Sequence, residues 1–345
     1  MQWRDELSRR FPALIKLGDD CYVVGGAIRD LLLGREPSDA DLACNDPLAS
    51  AQRIRHRVIR LGDDEQLTAY RVFDGVHAYD LAETLEHDID VDLARRDFTI
   101  NAMAFHFASD RLLDPHGGRR DLEARLVRMV RPSNFDDDPL RMLKAVRMAV
   151  MYDFAIEPET LDAIRVRASR IGDVAAERVT YELALILGAK KLRFAIELLR
   201  QTELAVGMQL RDFASDDVSL AGAYALLVDD PRTHAERWRW SSELLRDVLT
   251  LRGLIEEHDR IALYDARESI ALQLPGVLRA LGRDEQLDLP DFATRALLTG
   301  GEIAELTGVV PGQELGRIKR ALLEAQIWGD VKTKEEAVAF VSSRA

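Results

Sequence analysis

Two aspartates at alternate positions, Asp39 and Asp41, are the sharpest chemical signal in the chain. Ala40-Asp-Leu-Ala-Cys44 alternates as a strand does, and residues i and i+2 of a strand face the same way. Both carboxylates therefore project together. Carboxylates that close repel unless a cation neutralises them, and hard oxygen donors suit Mg²⁺. Paired ions of this kind activate an attacking hydroxyl and stabilise a leaving phosphate. A lone D-x-D is also a common surface pattern. What adds weight is Gly25-Gly26, thirteen residues before Asp39. That pair lies between the apolar run Cys21-Tyr-Val-Val24 and a helix-like segment, Ala27 to Leu33. Glycine there lets the backbone approach a phosphate, and a helix N-terminus favours its charge. Arg29 follows within the first turn. The spacing is neither G-x-G-x-x-G nor a P-loop, so dinucleotide-binding and P-loop readings have no support.

Three further groups could join this chemistry. Asp80, in Tyr79-Asp-Leu81, is either a third carboxylate for the metals or a charge on an edge strand. In Arg95-Arg96-Asp97, Arg96 suits a triphosphate and Asp97 a ribose hydroxyl; the same residues also make an ordinary surface ion pair. Asp136-Asp137-Asp138-Pro139 opens a helix, with Asp138 as the expected N-cap and Pro139 at its first position. Arg141, Lys144 and Arg147 recur every third residue and share one flank, while Leu140, Leu143 and Val146 pack on the next. A carboxylate beside a guanidinium reads a base edge: the acid accepts from an exocyclic amine and the arginine donates to ring acceptors. A capped amphipathic helix with solvated basic residues has the same pattern.

The elements that must position these groups divide the chain. Tyr70-Arg-Val-Phe73 and His77-Ala-Tyr-Asp-Leu81 alternate like strands around Asp74-Gly75, a hairpin signal. Thr99 to Phe107 reads as helix or strand. After about Pro132 strand signals vanish and helical spacing continues, punctuated by prolines such as Pro158 and Pro231. The expectation is an α+β chain: a small mixed-sheet head followed by an all-helical remainder.

At 345 residues, and roughly 150 per domain, two or three domains are expected. Hydrophobic residues make up 47%, which excludes wholesale disorder. Two cysteines, Cys21 and Cys44, exclude a disulfide scaffold and a four-cysteine zinc site. No apolar run of about 18 residues exists to span a membrane, and the charged opening lacks a signal-peptide core, so a cytoplasmic location is expected. The net charge of −13 argues against a protein that coats nucleic acid over its whole surface. Residues 95–147, however, hold eleven Lys/Arg against eight Asp/Glu, and residues 161–200 hold eight against five. Either a basic groove or solvated Arg-rich helices would give that balance.

Together the segments resemble the class II tRNA nucleotidyltransferases and bacterial poly(A) polymerases of the DNA polymerase beta superfamily. Gly25 to Gly34 followed by Asp39-Ala-Asp41 resembles the first motif, and Asp92 to Ala102 the second. Leu113 to Leu122 resembles the hinge motif, Asp137 to Arg147 the base-reading motif, and Glu177 to Leu183 the last. The resemblance implies a template-independent reaction in which an RNA 3′-hydroxyl attacks the α-phosphorus of CTP or ATP. It implies that Asp39 and Asp41 hold Mg²⁺, that Gly26, Arg29 and Arg96 hold the triphosphate, and that Asp97 senses the ribose. It assigns the base to Asp138 and Arg141, with Lys144 and Arg147 lining the same site. It implies a head (1–131), a neck (132–205) and a body and tail (206–345) along which tRNA lies.

Two departures bear on base reading: Asp137 stands where the family has Glu, and Lys144 where it has Arg. Lysine lacks arginine's planar fork, so base reading rests on Asp138 and Arg141. A third departure is that only about a dozen residues separate Leu81 from Arg95. Members of the family that build the whole CCA end resemble one another in a longer loop there. The short segment leans the reading toward CC addition, with a separate A-adding enzyme completing the end. The alternatives are full CCA addition, or poly(A) polymerase activity on other RNA ends. Acidic stretches such as Asp212 to Asp217 and Asp229-Asp230 disfavour the last, because an enzyme elongating arbitrary RNA benefits from a basic tail.

Overall fold

The computed structural model describes residues 2–55, 57–61, 69–211 and 215–344. Asp212, at the head of one acidic stretch, lies outside them. The chain forms two compact units, residues 1–189 with 197–208, and residues 190–196 with 209–345.

The first unit is built on a sheet of seven strands in the order β3-β4-β5-β2-β1-β6-β7. The strands are β1 (Cys21–Val24), β2 (Asp39–Cys44), β3 (Ile59–Leu61), β4 (Ala69–Phe73), β5 (Ala78–Glu83), β6 (Ala104–His106) and β7 (Arg111–Leu113). Only β2 and β5 run parallel; the other pairs are antiparallel. The central place of β2 sets the geometry. Asp41 lies opposite Val24, the last residue of β1, and opposite Asp80 of β5. The Gly25-Gly26 turn therefore leaves β1 directly beside Asp41. Val24, Ala43, Leu93, Ala102 and Ala104 close a buried apolar cluster beneath it.

Nine helices of this unit matter to the site or its frame: α1 (Trp3–Arg10), α2 (Gly26–Leu32), α3 (Pro47–Ile54), α4 (Ile89–Ala94), α5 (Gly118–Glu123), α6 (Asn134–Asp137), α7 (Arg141–Tyr152), α8 (Pro158–Arg167) and α9 (Ala176–Leu187). Helix α7 buries Met142, Leu143, Ala145, Val146, Met148 and Ala149, and leaves Arg141, Lys144 and Arg147 half-buried along one stripe. Helix α9 packs against it through Val179, Leu183 and Ile186.

Among the described residues from Leu220 to Ser342 the regular elements of the second unit are all helices, with a non-helical stretch over 281–299. Trp238 and Trp240 are buried beside Tyr224 and His234, with the Tyr224 and Trp240 rings 4.4 Å apart. Leu298, Ile303, Ile318, Leu322 and Val341 form a separate core. No helix among the described residues is long and apolar enough to cross a membrane.

Three sequence expectations are corrected. Asp138 is not the N-cap of α7, and Pro139 is not its first residue: the helix starts at Arg141. A tight turn precedes it, in which the Asp138 carbonyl accepts from the Arg141 N–H at 3.1 Å and its carboxylate from the Leu140 N–H at 3.2 Å. Strand signal does not end at Pro132, because β8 (Leu126–Val127) pairs in parallel with β9 (Ala155–Ile156). Two residues are too few to show alternation. Thr99 to Phe107 is neither helix nor strand alone, but a 3₁₀ turn at Thr99–Asn101 followed by β6.

Candidate active site

One cleft of about 440 Å³ gathers nearly every residue the sequence singled out: Gly25, Gly26, Arg29, Asp39, Asp41, Arg96, Asp97, Asp138, Arg141, Lys144 and Arg147, joined by Asn101 and Met148. Five of these side chains are cationic and four are carboxylates. That mixture suits a polyanion that arrives with cations.

Asp39 and Asp41 project from one face of β2 and are open to the cleft. The protein closing around the Asp41 carboxyl, and then Asp39 beside it, push its pKa up to about 6, against the pull of Arg96 and Arg29. A crowded pair of hard oxygen donors is the arrangement a divalent cation relieves. Among the described residues no cluster of three or more His, Cys, Asp or Glu forms a metal site. Asp80 accounts for this. It lies in register with Asp41 on β5, but Arg71, its cross-strand partner on β4, grips both its oxygens at 2.6 Å. Asp80 does not line the cleft.

The glycine turn and the arginines lie beside the carboxylate pair. Gly25 has φ +70°, a backbone region that L side chains rarely adopt, and the Arg96 guanidinium lies 3.0 Å from where its Cβ would be. Arg96 is steadied by Asp92, at 3.0 and 3.2 Å. Arg29 is buried. Its guanidinium donates to Asp30 at 2.9 and 3.1 Å and to the Asn101 side-chain oxygen at 2.7 Å. Asn101 in turn donates to Asp97 Oδ1 at 3.0 Å. Asn101 is thus the joint between the two residues expected at the triphosphate and the ribose. Sequence reasoning passed over it, though an amide four residues after Asp97 in a turn-prone segment was the available signal.

On α7, Arg141 donates to the Asn134 carbonyl at 3.2 Å, and Arg147 to Glu182 of α9 at 2.6 Å. Asp138 accepts from Arg178 at 2.9 Å. Below the cleft, Thr99 and Arg128 both donate to the buried Asp121, at 2.7 and 3.0 Å. Arg128 also reaches Glu157, at 2.8 Å. This buried network fixes the Thr99–Asn101 turn to α5 and to the strand pair β8–β9.

The family model described as "Poly A polymerase head domain" matches residues 21–87 and 63–128, and the one described as "Probable RNA and SrmB- binding site of polymerase A" matches residues 153–208. The A-adding tRNA nucleotidyltransferase of Deinococcus radiodurans is 30% identical over 96% of this chain and 97% of its own length. The chain belongs to the tRNA nucleotidyltransferase and poly(A) polymerase family. It is also 39% identical to the CC-adding tRNA nucleotidyltransferase of Synechocystis, over 52% of this chain and 44% of that one. Its fold resembles the crystal structure of the Bacillus stearothermophilus CCA-adding enzyme in complex with CTP. That match has a TM-score of 0.78 and 26% identity, and covers 99% of this chain and 97% of the other.

Proposed function

We propose that the chain transfers nucleotides from CTP, ATP or both to the 3′ end of tRNA, without a template. The reading is carried by the cleft, which sets a carboxylate pair, a glycine turn with two arginines, and a carboxylate–guanidinium pair around one space. In this reading residues 1–131 are the catalytic head, 132–205 the base-reading neck, and 206–345 the body and tail that bind tRNA.

Asp39 and Asp41 have the donor chemistry for Mg²⁺, which when bound would neutralise their repulsion and withdraw charge from the reacting phosphate. Gly26 offers a helix N-terminus to the triphosphate, and Arg29 and Arg96 offset its charge. Asn101 holds Arg29 and Asp97 in register, so that phosphate and ribose are located together. Asp138 accepts from an exocyclic amine and Arg141 donates to a ring acceptor, which favours cytosine or adenine over uracil. Lys144 and Arg147 line the base side of the cleft. The RNA 3′-oxygen, losing its proton to solvent, then bonds to the α-phosphorus as the bond to the β-phosphate oxygen breaks and pyrophosphate leaves. Asp80, held by Arg71, acts on Asp41 through its charge alone.

Addition of CC only, with a separate enzyme adding A, is supported by the short connection from β5 to Arg95. It holds a 3₁₀ turn at Leu85–His87 and α4, with no room for a long loop. A second reading, addition of A, is favoured by the full-length similarity to the A-adding relative. The test is single-nucleotide product analysis with Mg²⁺ on transcripts ending at the discriminator base, at C and at CC. CTP, ATP or both are supplied. Two added C residues and then a stop support CC addition, and a single A on the CC-ended transcript supports A addition. A complete CCA overturns the loop argument. Long A tails on any RNA reassign the chain to poly(A) polymerase. Incorporation that survives in Asp41→Asn removes the metal assignment.

A further inference from the structure

We infer that Tyr152, the last residue of α7, is the positioning residue that sets the angle of the Arg29 guanidinium toward the triphosphate. This rests on the reading of Arg29 as a triphosphate ligand. The tyrosine is 8% exposed, and two guanidiniums lie against its ring, Arg29 at 4.7 Å and Arg35 at 4.5 Å from its centre. A cation over an aromatic face is attracted by the ring, and more strongly where water is excluded. The phenol hydroxyl donates to Asp30 Oδ1 at 2.8 Å, the same oxygen that accepts from Arg29 Nε at 2.9 Å. Burial pushes the pKa of that hydroxyl up to about 12, against the pull of Arg29, so it stays protonated and remains a donor. Asp30 is thereby shared, rather than closed on Arg29 alone. One turn earlier on α7, Met148 Sδ lies 3.7 Å from Arg29 Nη1. Tyr152 and Met148 thus form a platform for a single guanidinium.

Two helix ends build this platform. Helix α2 closes in a Schellman turn: Gly34 takes φ +68°, its N–H reaches the Leu31 carbonyl at 3.1 Å, and the Arg35 N–H reaches the Asp30 carbonyl at 2.8 Å. That turn folds the chain back so that Arg35 reaches the tyrosine. Helix α7 brings Arg141, Lys144 and Arg147 to the cleft and ends on Tyr152, so one helix serves both the base side and the triphosphate side. The Arg29 guanidinium has five N–H groups. Asp30 takes two, and Asn101 and Met148 take the two on Nη1. Among the described residues that leaves one N–H, on Nη2, the atom 3.4 Å from where a Gly26 Cβ would lie. The remaining donor therefore sits at the glycine turn, on the triphosphate side of the cleft. Without Tyr152 the ring no longer fixes the plane of the guanidinium, and Asp30 closes on it without a competing donor.

The experiment compares the full-length wild type with Tyr152→Leu, Tyr152→Phe and Arg29→Ala. For each, kcat and KM are measured on tRNA transcripts for the nucleotide the wild type incorporates, together with the inhibition constant of inorganic triphosphate. Selectivity against UTP reports the Asp138 and Arg141 side of the cleft independently. A desolvated cation–ring contact changes binding by about fivefold to thirtyfold. Tyr152→Leu is expected to raise the triphosphate inhibition constant and the nucleotide KM by about fivefold or more, with kcat and UTP selectivity within about twofold. Tyr152→Phe, which keeps the ring and loses the hydroxyl, falls between it and the wild type. An inhibition constant unchanged in Tyr152→Leu but raised in Arg29→Ala overturns this inference and leaves Arg29 standing. One unchanged in Arg29→Ala as well overturns the triphosphate reading. A matching loss of UTP selectivity in Tyr152→Leu also overturns the inference, because that marks general distortion of the cleft. If Tyr152→Leu does not fold, Tyr152→Phe decides, and a triphosphate constant equal to the wild type's there overturns the inference.

Discussion

Two adjacent glycines at the mouth of the cleft should respond to the same mutation in opposite ways. Gly25 sits at φ +70° and ψ −127°, and a Cβ there would lie 3.0 Å from Arg96 Nη1, 3.8 Å from Asp41 Oδ2 and 3.9 Å from the Asn101 carbonyl. An alanine held in such a region costs about 1–3 kcal/mol. Gly26 is the first residue of α2, has no positive φ, and its Cβ would meet the Arg29 guanidinium, with Nη2 at 3.4 Å and Cζ at 4.0 Å, ordinary contacts. Alanine at a compatible position stabilises by about 0.4–1 kcal/mol, mainly by restricting the unfolded chain. The neighbours should therefore differ by about 1.5–4 kcal/mol. With a urea dependence of about 2 kcal/mol per molar, that is a gap of about 1–2 M between unfolding midpoints. Gly25→Ala should also raise the nucleotide KM, because the methyl displaces Arg96. The two variants would be unfolded in urea side by side. Equal midpoints, or Gly25→Ala outlasting Gly26→Ala, would refute the claim that backbone strain at Gly25 shapes the turn.

Asn101→Ala removes hydrogen bonds to Arg29 and Asp97, and bonds to charged groups are worth about 1.5–3 kcal/mol each. Steady-state kinetics should show kcat/KM lower by at least about tenfold, with the fold unchanged by circular dichroism. Asp74, in the β4–β5 hairpin, is driven up by burial but further down by the His77 N–H, the Tyr79 hydroxyl and the Val76 N–H, to about 2 from an ordinary 3.8. Its stabilisation is thus complete above pH 3.8 and lost as pH falls through 2. Asp74→Asn should cost about 1–2 kcal/mol in urea unfolding at pH 7, and the gap from the wild type should close toward pH 2. Gly118→Ala would place a Cβ 2.3 Å from the Thr99 carbonyl, which backbone on both sides keeps from yielding. A loss of about 3 kcal/mol is expected, read as a lower urea midpoint.

What the sequence disclosed follows from how far each cause extends along the chain. The Gly25-Gly26 turn, the alternation through Asp39 and Asp41 and the stripe Arg141, Lys144 and Arg147 are local patterns, and each lines the cleft. The Asp74-Gly75 hairpin is local too, and the Asp74 N–H does donate to the His77 carbonyl across it. What stayed hidden depends on partners brought in from afar. Asp80 stays open in the sequence between a metal carboxylate and an edge-strand charge, because strand register, not sequence, puts Arg71 across from it. Asp138 read as a helix cap because the guanidinium that holds it comes 40 residues later. The pair β8–β9 joins two-residue strands whose only signal is each other.

The wide sequence spacing of the cleft has a consequence for the protein as it is made. The carboxylate pair leaves the ribosome at residues 39 and 41, the sheet is not complete until Leu113, and Arg178 comes last. At translation rates of about 5–20 residues per second, the first event precedes the last by on the order of 10–30 s. For much of that interval the carboxylate pair is present without the residues of α7 that share its cleft. Contacts of such long range also form slowly. The cleft is therefore complete only once the helix that carries Arg141, Lys144 and Arg147 is in place.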